Sequence, residues 1–211
     1  IRDYKVTGVQ TCALPISTPT IGGVGVLDDV TRSMTLAFKS VGETIILLGK
    51  TRGWLGASTW LAEIAGREDG APPPVDLALE KQTGELVLGL IRNGLVTAVH
   101  DLSDGGLAIG LAEMAMAGGI GARIDHLPPG IPTHAALFGE DQGRYLLTVS
   151  TNDQITEISR RVGTSGSDLI MHILGVTGGD SLTLPDEQPI SIEALATAHE
   201  HWLPSYMAGD A

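Results

Sequence analysis

Two aspartates lie directly before a glycine-led helix start in the segment spanning residues 100–119 (HDLSDGGLAIGLAEMAMAGG). The first turn of a helix exposes unpaired backbone amides and a partial positive charge, which suits phosphate oxygens. Two carboxylates would repel a bare phosphate, but Mg²⁺ takes carboxylate and phosphate oxygens together. The pattern therefore predicts a Mg²⁺–phosphate site with Asp101 as the metal ligand. The predicted nucleotide- or phosphate-binding residues are Ser103, Asp104, Gly105 and Gly106.

A plainer interpretation of the same loop stays open. Ser103 or Asp104 would then serve only as the helix N-cap, and the glycines would only make a tight turn. The loop alone favours this plainer interpretation.

A second candidate segment, residues 139–144, leads into a strongly apolar run. Glu140 and Asp141 are followed by the amide of Gln142 and the guanidinium of Arg144. These groups offer ligands for a cation, a hydroxyl and a phosphate within one short loop. Taken alone, the pattern is more typical of a solvated hairpin turn.

Basic residues and one histidine complete the candidate chemistry. Lys50 and Arg52 follow a predicted strand close to Gly53 and could form an anion-binding turn, but solvated surface is the preferred interpretation of such a basic pair. His100, at a strand end, has the side chain of a general base, but a hydrogen-bonded structural histidine is the preferred interpretation. The other histidines lack metal-ligand spacing, apart from an i, i+2 pair near the end of the sequence, and we assign them no role.

Alternating strands and helices must position these loops. Apolar runs bounded by glycines predict strands, and apolar residues at helical spacing predict helices. Strands are predicted at residues 18–27, 42–49, 96–101, 119–125, 144–150, 171–176 and 181–184, and helices at 56–65, after the prolines 72–74, from 105, at 152–162 and at 192–202. This order favours a layered α/β or α+β domain over a barrel.

Composition limits the class of protein. The chain has 211 residues, a formal charge of -12 and a pI near 4.7, so it lacks the basic surface that binds nucleic acid. Its most apolar stretch, residues 105–122, contains Glu113 and many glycines, which indicates a buried helix and no membrane span. One cysteine, Cys12, permits no internal disulfide and is compatible with the cytoplasm.

The first residues differ in style from the rest of the chain. Residues 1–17 (IRDYKVTGVQTCALPIS) lack the features of a targeting segment and resemble translated sequencing-adapter read-through. We interpret them as a suspect, non-native or disordered segment. A native strand at residues 5–11 is the alternative.

Together the segments resemble the synthetase subunit of the phosphoribosylformylglycinamidine synthases, also called formylglycinamide ribonucleotide amidotransferases. The resemblance rests on TPTIGGVGVLDDV, TAVHDLSDGGLAIGLAEMAMAGG, FGEDQGRYLLTV and AHEHWLPSYM and extends from Thr18 to the last residue. It implies a long parent chain of two similar halves. Residues 18–40 would be the last strand of a preceding domain and a linker. Residues 41–211 would form a domain like the carboxy-terminal domain of aminoimidazole ribonucleotide synthetase, with a mixed, largely antiparallel sheet flanked by helices.

The resemblance also implies an activity and partners. Such enzymes use ATP to phosphorylate an amide oxygen of the ribonucleotide, and ammonia from a glutaminase subunit then displaces phosphate. The implied cofactors are Mg²⁺ and ATP or ADP, and the partners are the parent's remaining domains, the glutaminase and the ribonucleotide substrate. Because the family's catalytic residues lie in the other domains, this chain would be inactive alone. The alternatives are a non-catalytic nucleotide-holding module and a fragment of a related ATPase such as a selenophosphate synthetase.

For the site residues, the resemblance implies two roles. Glu140, Asp141 and Gln142 would be the second-half counterpart of a substrate-contacting loop, but Asp141 stands where serine is usual, which argues against direct substrate contact. Asp101 would correspond to a Mg²⁺ ligand at a second nucleotide site that holds a structural ADP.

Overall fold

The computed structural model describes residues 22–165 and 169–209. The chain divides into two compact units, Ile1–Ser33 and Met34–Ala211. The predictions for residues 1–17, and for the beginning of the first strand, lie outside the described residues. Residues 22–27 do not form the strand predicted there, since an extended segment becomes a strand only when a neighbour pairs with it. A short 3-10 helix at Val30–Arg32 follows, and the Asp29 side chain caps it.

The second unit contains a seven-stranded sheet. Its strands are β1 (Thr44–Leu48), β2 (Ala98–Asp101), β3 (Ala122–Ile124), β4 (Tyr145–Val149), β5 (Met171–Thr177), β6 (Ser181–Thr183) and β7 (Ile190–Ser191). Their order is β2-β4-β1-β5-β3-β6-β7, and every pair is antiparallel except β3 with β6. The prediction of a mixed, largely antiparallel sheet is confirmed.

Helices flank the sheet, as predicted. They are α1 (Thr59–Ala65), α2 (Leu77–Arg92), α3 (Gly106–Gly118), α4 (Thr133–Phe138), α5 (Asn152–Thr164) and α6 (Ile192–Ala208). The sequence did not predict α4 or β7, and it ended α6 too early, since that helix continues through Pro204. No helix of the described residues is both long and apolar enough to cross a membrane.

Two apolar layers hold the helices on the sheet. Successive side chains of β1 point to opposite faces. Ile45 and Leu47 pack on the face that α3 covers, while Ile46 and Leu48 pack on the face that α2 and α5 cover. The helices contribute the buried side chains Leu107, Leu111 and Met114 from α3, Val87 and Leu90 from α2, and Ile158 from α5. The central strands are therefore fixed on both sides.

The strand register brings three loops to one end of the sheet. In the β1–β4 pair Leu48 lies opposite Tyr145, and in the β2–β4 pair Asp101 lies opposite that same tyrosine. The chain therefore leaves β1 and β2, and enters β4, at the same end. These three connections carry the candidate residues of the sequence analysis.

Candidate functional site: a loop cluster at one end of the sheet

The Glu140 carboxylate joins the beginnings of two helices. One of its oxygens, Oε1, accepts hydrogen bonds from the backbone N–H of Thr59, at 2.8 Å, and of Gly105, at 2.9 Å. Thr59 is the first residue of α1, and Gly105 is the N-cap of α3. A carboxylate at helix N-termini pairs with the orphan amides there. The anion that the sequence predicts at the start of α3 is thus supplied, at the Gly105 amide, by the protein itself.

Asp141 plays a matching part in the turn after β1. Its Oδ2 accepts from the backbone N–H of Arg52, at 3.0 Å, and of Gly53, at 2.8 Å. Gly53 has φ +73°, and successive amides in such a turn form a concave anion site. The turn after β1 therefore binds an anion, the carboxylate of Asp141, although the sequence favoured solvated surface there. Only 4% of Asp141 is exposed, whereas Arg52 in the turn is exposed.

Arg144 is buried, with only 1% exposed, and its guanidinium binds two carbonyls of the acidic loop. Its Nε donates to the carbonyl of Asp141 at 3.0 Å, and its Nη2 donates to the carbonyl of Gly139 at 2.5 Å. Burial lowers the pKa of Arg144, and the charges of Asp141 and Glu140 oppose that shift. The simple interpretation of residues 139–144 as a solvated hairpin turn is therefore wrong.

Gln142 is the exposed member of the acidic loop. Its amide donates to the carbonyl of Glu140, at 3.3 Å. Beside it lies a cleft of about 370 Å³, open solvent included, whose lining contains both charge signs: Lys50, Arg52, Asp76, Glu80, Asp141 and Gln142. Of the three residues predicted as a substrate loop, Glu140 and Asp141 bind backbone amides through their carboxylates. Gln142 instead presents its side chain to solvent.

The glycines before α3 make a tight turn. Gly105 and Gly106 have φ of +75° and +65°, and no side chain caps the helix. The interpretation of Ser103 or Asp104 as the N-cap is therefore wrong, whereas the tight turn is confirmed. The Gly106 amide donates to the carbonyl of Ser103 at 3.0 Å. The amides of both glycines are thus engaged within the chain.

Asp101 lies at the end of the edge strand β2, and 75% of its side chain is exposed. Its Oδ1 is 3.7 Å from Nδ1 of His100, and Nε2 of the same imidazole is 3.7 Å from Oε2 of Glu113. Both distances are too long for a hydrogen bond. Nε2 is buried without a hydrogen-bond partner, so this nitrogen lacks the bond expected of the hydrogen-bonded structural histidine predicted from the sequence.

The residues present fit a Mg²⁺–nucleotide only in part. Asp101 and Asp104 are exposed carboxylates, which is the ligand chemistry that Mg²⁺ prefers. Among residues 22–165 and 169–209, however, no group of three or more His, Cys, Asp or Glu side chains could hold a metal ion. The described residues therefore offer isolated ligands and no complete metal cage.

Solved structures share this fold. Thermotoga maritima PurL complexed with FGAR superposes with a TM-score of 0.65 at 18% identity, covering 79% of this chain and 30% of that one. The structure of PurLQS from Thermotoga maritima gives a TM-score of 0.61 at 18% identity, over 79% of this chain and 28% of that one. At this level of identity the similarity demonstrates the fold alone.

Curated relatives are much more similar in sequence. Phosphoribosylformylglycinamidine synthase subunit PurL of Rhodopseudomonas palustris strain BisB5 is 56% identical over 196 residues. The subunit of the same name from Azorhizobium caulinodans is 54% identical over 195 residues. Each alignment covers 92% of this chain but only 26% of the relative, so the chain spans about a quarter of the length of these proteins.

A protein family is matched by residues 40–182, which form more than half of the chain and include all three loops of the site. That family is described as AIR synthase related protein, C-terminal domain. The matched residues include strands β1 to β5 in full. The chain belongs to the AIR synthase-related protein family and carries its carboxy-terminal domain.

Proposed function

We propose that this chain is the carboxy-terminal part of the synthetase subunit of a phosphoribosylformylglycinamidine synthase. That cytoplasmic ligase converts formylglycinamide ribonucleotide to formylglycinamidine ribonucleotide with ATP in purine biosynthesis. One observation carries the proposal: curated PurL subunits are 54% to 56% identical to the chain over 92% of its length.

The chain is inactive without the rest of the synthetase in this proposal. It spans 26% of its relatives, and its described residues contain no metal-binding group of three side chains. The carboxylates of Glu140 and Asp141 are bonded to the chain's own amides. The required partners are the remaining synthetase domains, which bind the ribonucleotide, and a glutaminase subunit that supplies ammonia.

Asp101 is the proposed ligand of a Mg²⁺ ion that holds ADP or ATP in a structural role. Bound there, Mg²⁺ would neutralise phosphate charge that the aspartates otherwise repel. The exposure of Asp101 and Asp104, together with solved T. maritima PurL complexes with ATP and with ADP, supports this assignment. Ser103 is exposed beside them and would hydrogen-bond a phosphate oxygen.

Glu140 limits what the α3 amides do in this site. The Gly105 N–H already donates to that carboxylate, and the Gly106 N–H donates to the carbonyl of Ser103. A phosphate would reach the Gly105 amide only after Glu140 releases it. Asp101 is therefore the residue on which the nucleotide proposal depends, and the glycines contribute mainly the turn that leaves room beside it.

Substrate contact within the acidic loop is assigned to Gln142 alone. Glu140 and Asp141 accept two backbone hydrogen bonds each, which fixes their carboxylates inside the fold. Gln142 is exposed at the cleft and can both donate and accept hydrogen bonds. Glu140 and Asp141 therefore position the loop in this proposal.

A chimeric synthetase tests the ligase function. Residues 34–209 of this chain would replace the matching segment of Rhodopseudomonas palustris PurL, and ammonia-dependent formation of ADP and the amidine product would be measured. We expect turnover comparable to that of the unaltered subunit. A chimera that elutes as a folded protein with native-like circular dichroism, yet fails to convert formylglycinamide ribonucleotide, would refute the assignment.

Calorimetric titration of the chimera with ADP and Mg²⁺ tests the nucleotide site. Asp101→Asn removes the charge of the proposed ligand without changing its size, so we expect ADP affinity to fall by about tenfold or more. Asp153→Asn, at another exposed aspartate, serves as the matched control and should leave the affinity unchanged. Equal affinities in the two variants would remove Asp101 from the site.

A further inference from the structure

Helix α2 ends in an exposed Asn93–Gly94 pair. Asn93 is the C-cap, and Gly94, with φ +65°, adopts the left-handed conformation that terminates many helices. Glycine is favoured there because it has no Cβ. Because Gly94 has no side chain, no atom of the residue hinders its backbone nitrogen. The helix stop therefore places an asparagine amide next to the least hindered backbone nitrogen that a protein offers.

Such a pair has an intrinsic reaction. The deprotonated Gly94 nitrogen attacks Cγ of the Asn93 side chain, a new C–N bond closes a five-membered succinimide, and the Cγ–Nδ2 bond breaks. The leaving nitrogen takes up protons and departs as ammonia. Water then opens the ring at either carbonyl, which gives aspartate or isoaspartate. The reaction needs only water and involves no change in oxidation state.

We propose that Asn93 is a site of spontaneous deamidation, and that opening of the last turn of α2 controls its rate. Three contacts restrain the reaction in the closed fold. The Gly94 N–H donates to the carbonyl of Ile91 at 3.0 Å, and the Asn93 Nδ2 donates to the carbonyl of Gly89 at 2.7 Å. The next residue, Leu95, donates its N–H to the carbonyl of Leu90 at 3.0 Å.

The backbone torsion of Asn93 provides a further restraint. Ring closure requires the Gly94 nitrogen to eclipse Cβ of Asn93 about the Cα–C bond. The observed ψ of 3° makes that nitrogen eclipse the residue's own backbone nitrogen instead. The torsion must rotate before attack, and because rotation moves the chain after Asn93, it breaks the hydrogen bonds that Gly94 and Leu95 donate. Deamidation therefore reports the local opening of the helix end.

The product would weaken the end that controls its formation. Aspartate at position 93 cannot donate to the Gly89 carbonyl, and its charge meets the negative end of the helix. Isoaspartate also adds a methylene to the backbone, which disturbs the hydrogen bonds of Gly94 and Leu95. The modification should therefore make the end of α2 open more often than it does in the unmodified chain.

Aging of the full chain in mildly alkaline buffer tests the proposal, with Asn152 as an internal reference. The sequence contains only these two asparagines. Asn152 is the first residue of α5 and precedes Asp153, whose side chain hinders attack. Peptide mapping by mass spectrometry, with enzymatic labelling of isoaspartate, should find Asn93 converted first. In denaturant its conversion should be at least ~tenfold faster than in the native chain.

A matched pair of substitutions separates the modification from its control by the fold. Leu90→Ala removes a fully buried anchor of α2 and should accelerate native-state deamidation at Asn93 without changing its rate in denaturant. Asn93→Asp should lower the melting temperature more than Asn152→Asp does. Absence of conversion at Asn93 in the aged native chain would overturn the site. Equal rates in native and denatured chains would overturn the control by helix opening.

Discussion

Replacement of Glu140 tests whether its carboxylate holds the loop cluster together. Glu140→Ala leaves the amides of Thr59 and Gly105 without their acceptor. The first amide is exposed, so water can replace the lost bond at little cost. The second is partly buried and should lose about 1–2 kcal/mol. With a small electrostatic loss at the start of α3, we expect the free energy of unfolding to fall by about 2 kcal/mol.

Glu140→Gln separates the charge from the hydrogen bonds. A glutamine keeps an oxygen that can accept from both amides, but the bonds become neutral. Hydrogen bonds to charged groups contribute about 1.5–3 kcal/mol and neutral ones about 0.5–1.5 kcal/mol, so this variant should lose about 1 kcal/mol. The expected order of stability is therefore wild type, then Glu140→Gln, then Glu140→Ala.

Urea unfolding of the full chain gives these free energies, and amide hydrogen exchange locates the effect. Exchange at Gly105 should accelerate more in Glu140→Ala than exchange within the central strand β1. Glu187→Ala, at an exposed glutamate, serves as the control and should stay within about 0.5 kcal/mol of wild type. If Glu140→Ala were as stable as this control and the Gly105 amide exchanged no faster, the carboxylate would not hold the two helices.

Three further measurements examine other parts of the fold. Arg144→Met keeps an apolar stem but leaves two loop carbonyls without donors and the buried carboxylate of Asp141 without a nearby cation, so urea unfolding should reveal a loss of about 3–5 kcal/mol. Gly118→Ala would place a Cβ 2.5 Å from the backbone oxygen of Phe38, and the same assay should give a loss of about 1–3 kcal/mol. Hydrogen bonds from Arg160, the larger cause, and from Arg161 lower the pKa of Glu157 from 4.5 to about 2. Because the pKa is lowered in the folded state, the ion pair stabilises the fold above pH 4.5, and this stabilisation disappears as the pH falls through about 2. A side-chain NMR titration of Glu157 should detect the lowered pKa at low salt and a smaller shift at high salt.

Local signals were sufficient to predict most of the elements. In α2 the apolar residues recur at helical spacing, and Asn93 with Gly94 marks its end, as the structure confirms. The apolar run bounded by Gly42 and Gly49 predicts a strand, which the structure confirms as β1. By contrast, α4 has six residues and no side-chain cap, so neither periodicity nor a start signal could identify it. The two residues of β7 depend entirely on pairing with β6.

The candidate residues could be selected from the sequence, but their partners could not. Glu140 and Gly105 are 35 positions apart, and Asp141 lies 88 positions from Gly53. Their contacts follow from the order of strands in the sheet, because only the β2-β4-β1 arrangement places these loops side by side. No local pattern specifies that order. The sequence therefore identified acids and an anion-binding turn without indicating that they bind each other.

The pairing of acids with amides also explains why an acidic loop is tolerated here. Turns at the end of a sheet leave backbone N–H groups without strand or helix partners, and each buried one costs about 1–3 kcal/mol if unpaired. Glu140 and Asp141 accept hydrogen bonds from four backbone N–H groups, three of them partly buried, with two side chains. Their charges are consequently used within the fold, whereas the exposed charge of Asp101 is not. In the proposed site, a phosphate approaching this end of the sheet would meet the unneutralised carboxylate of Asp101 and would therefore bind through a divalent cation that both share.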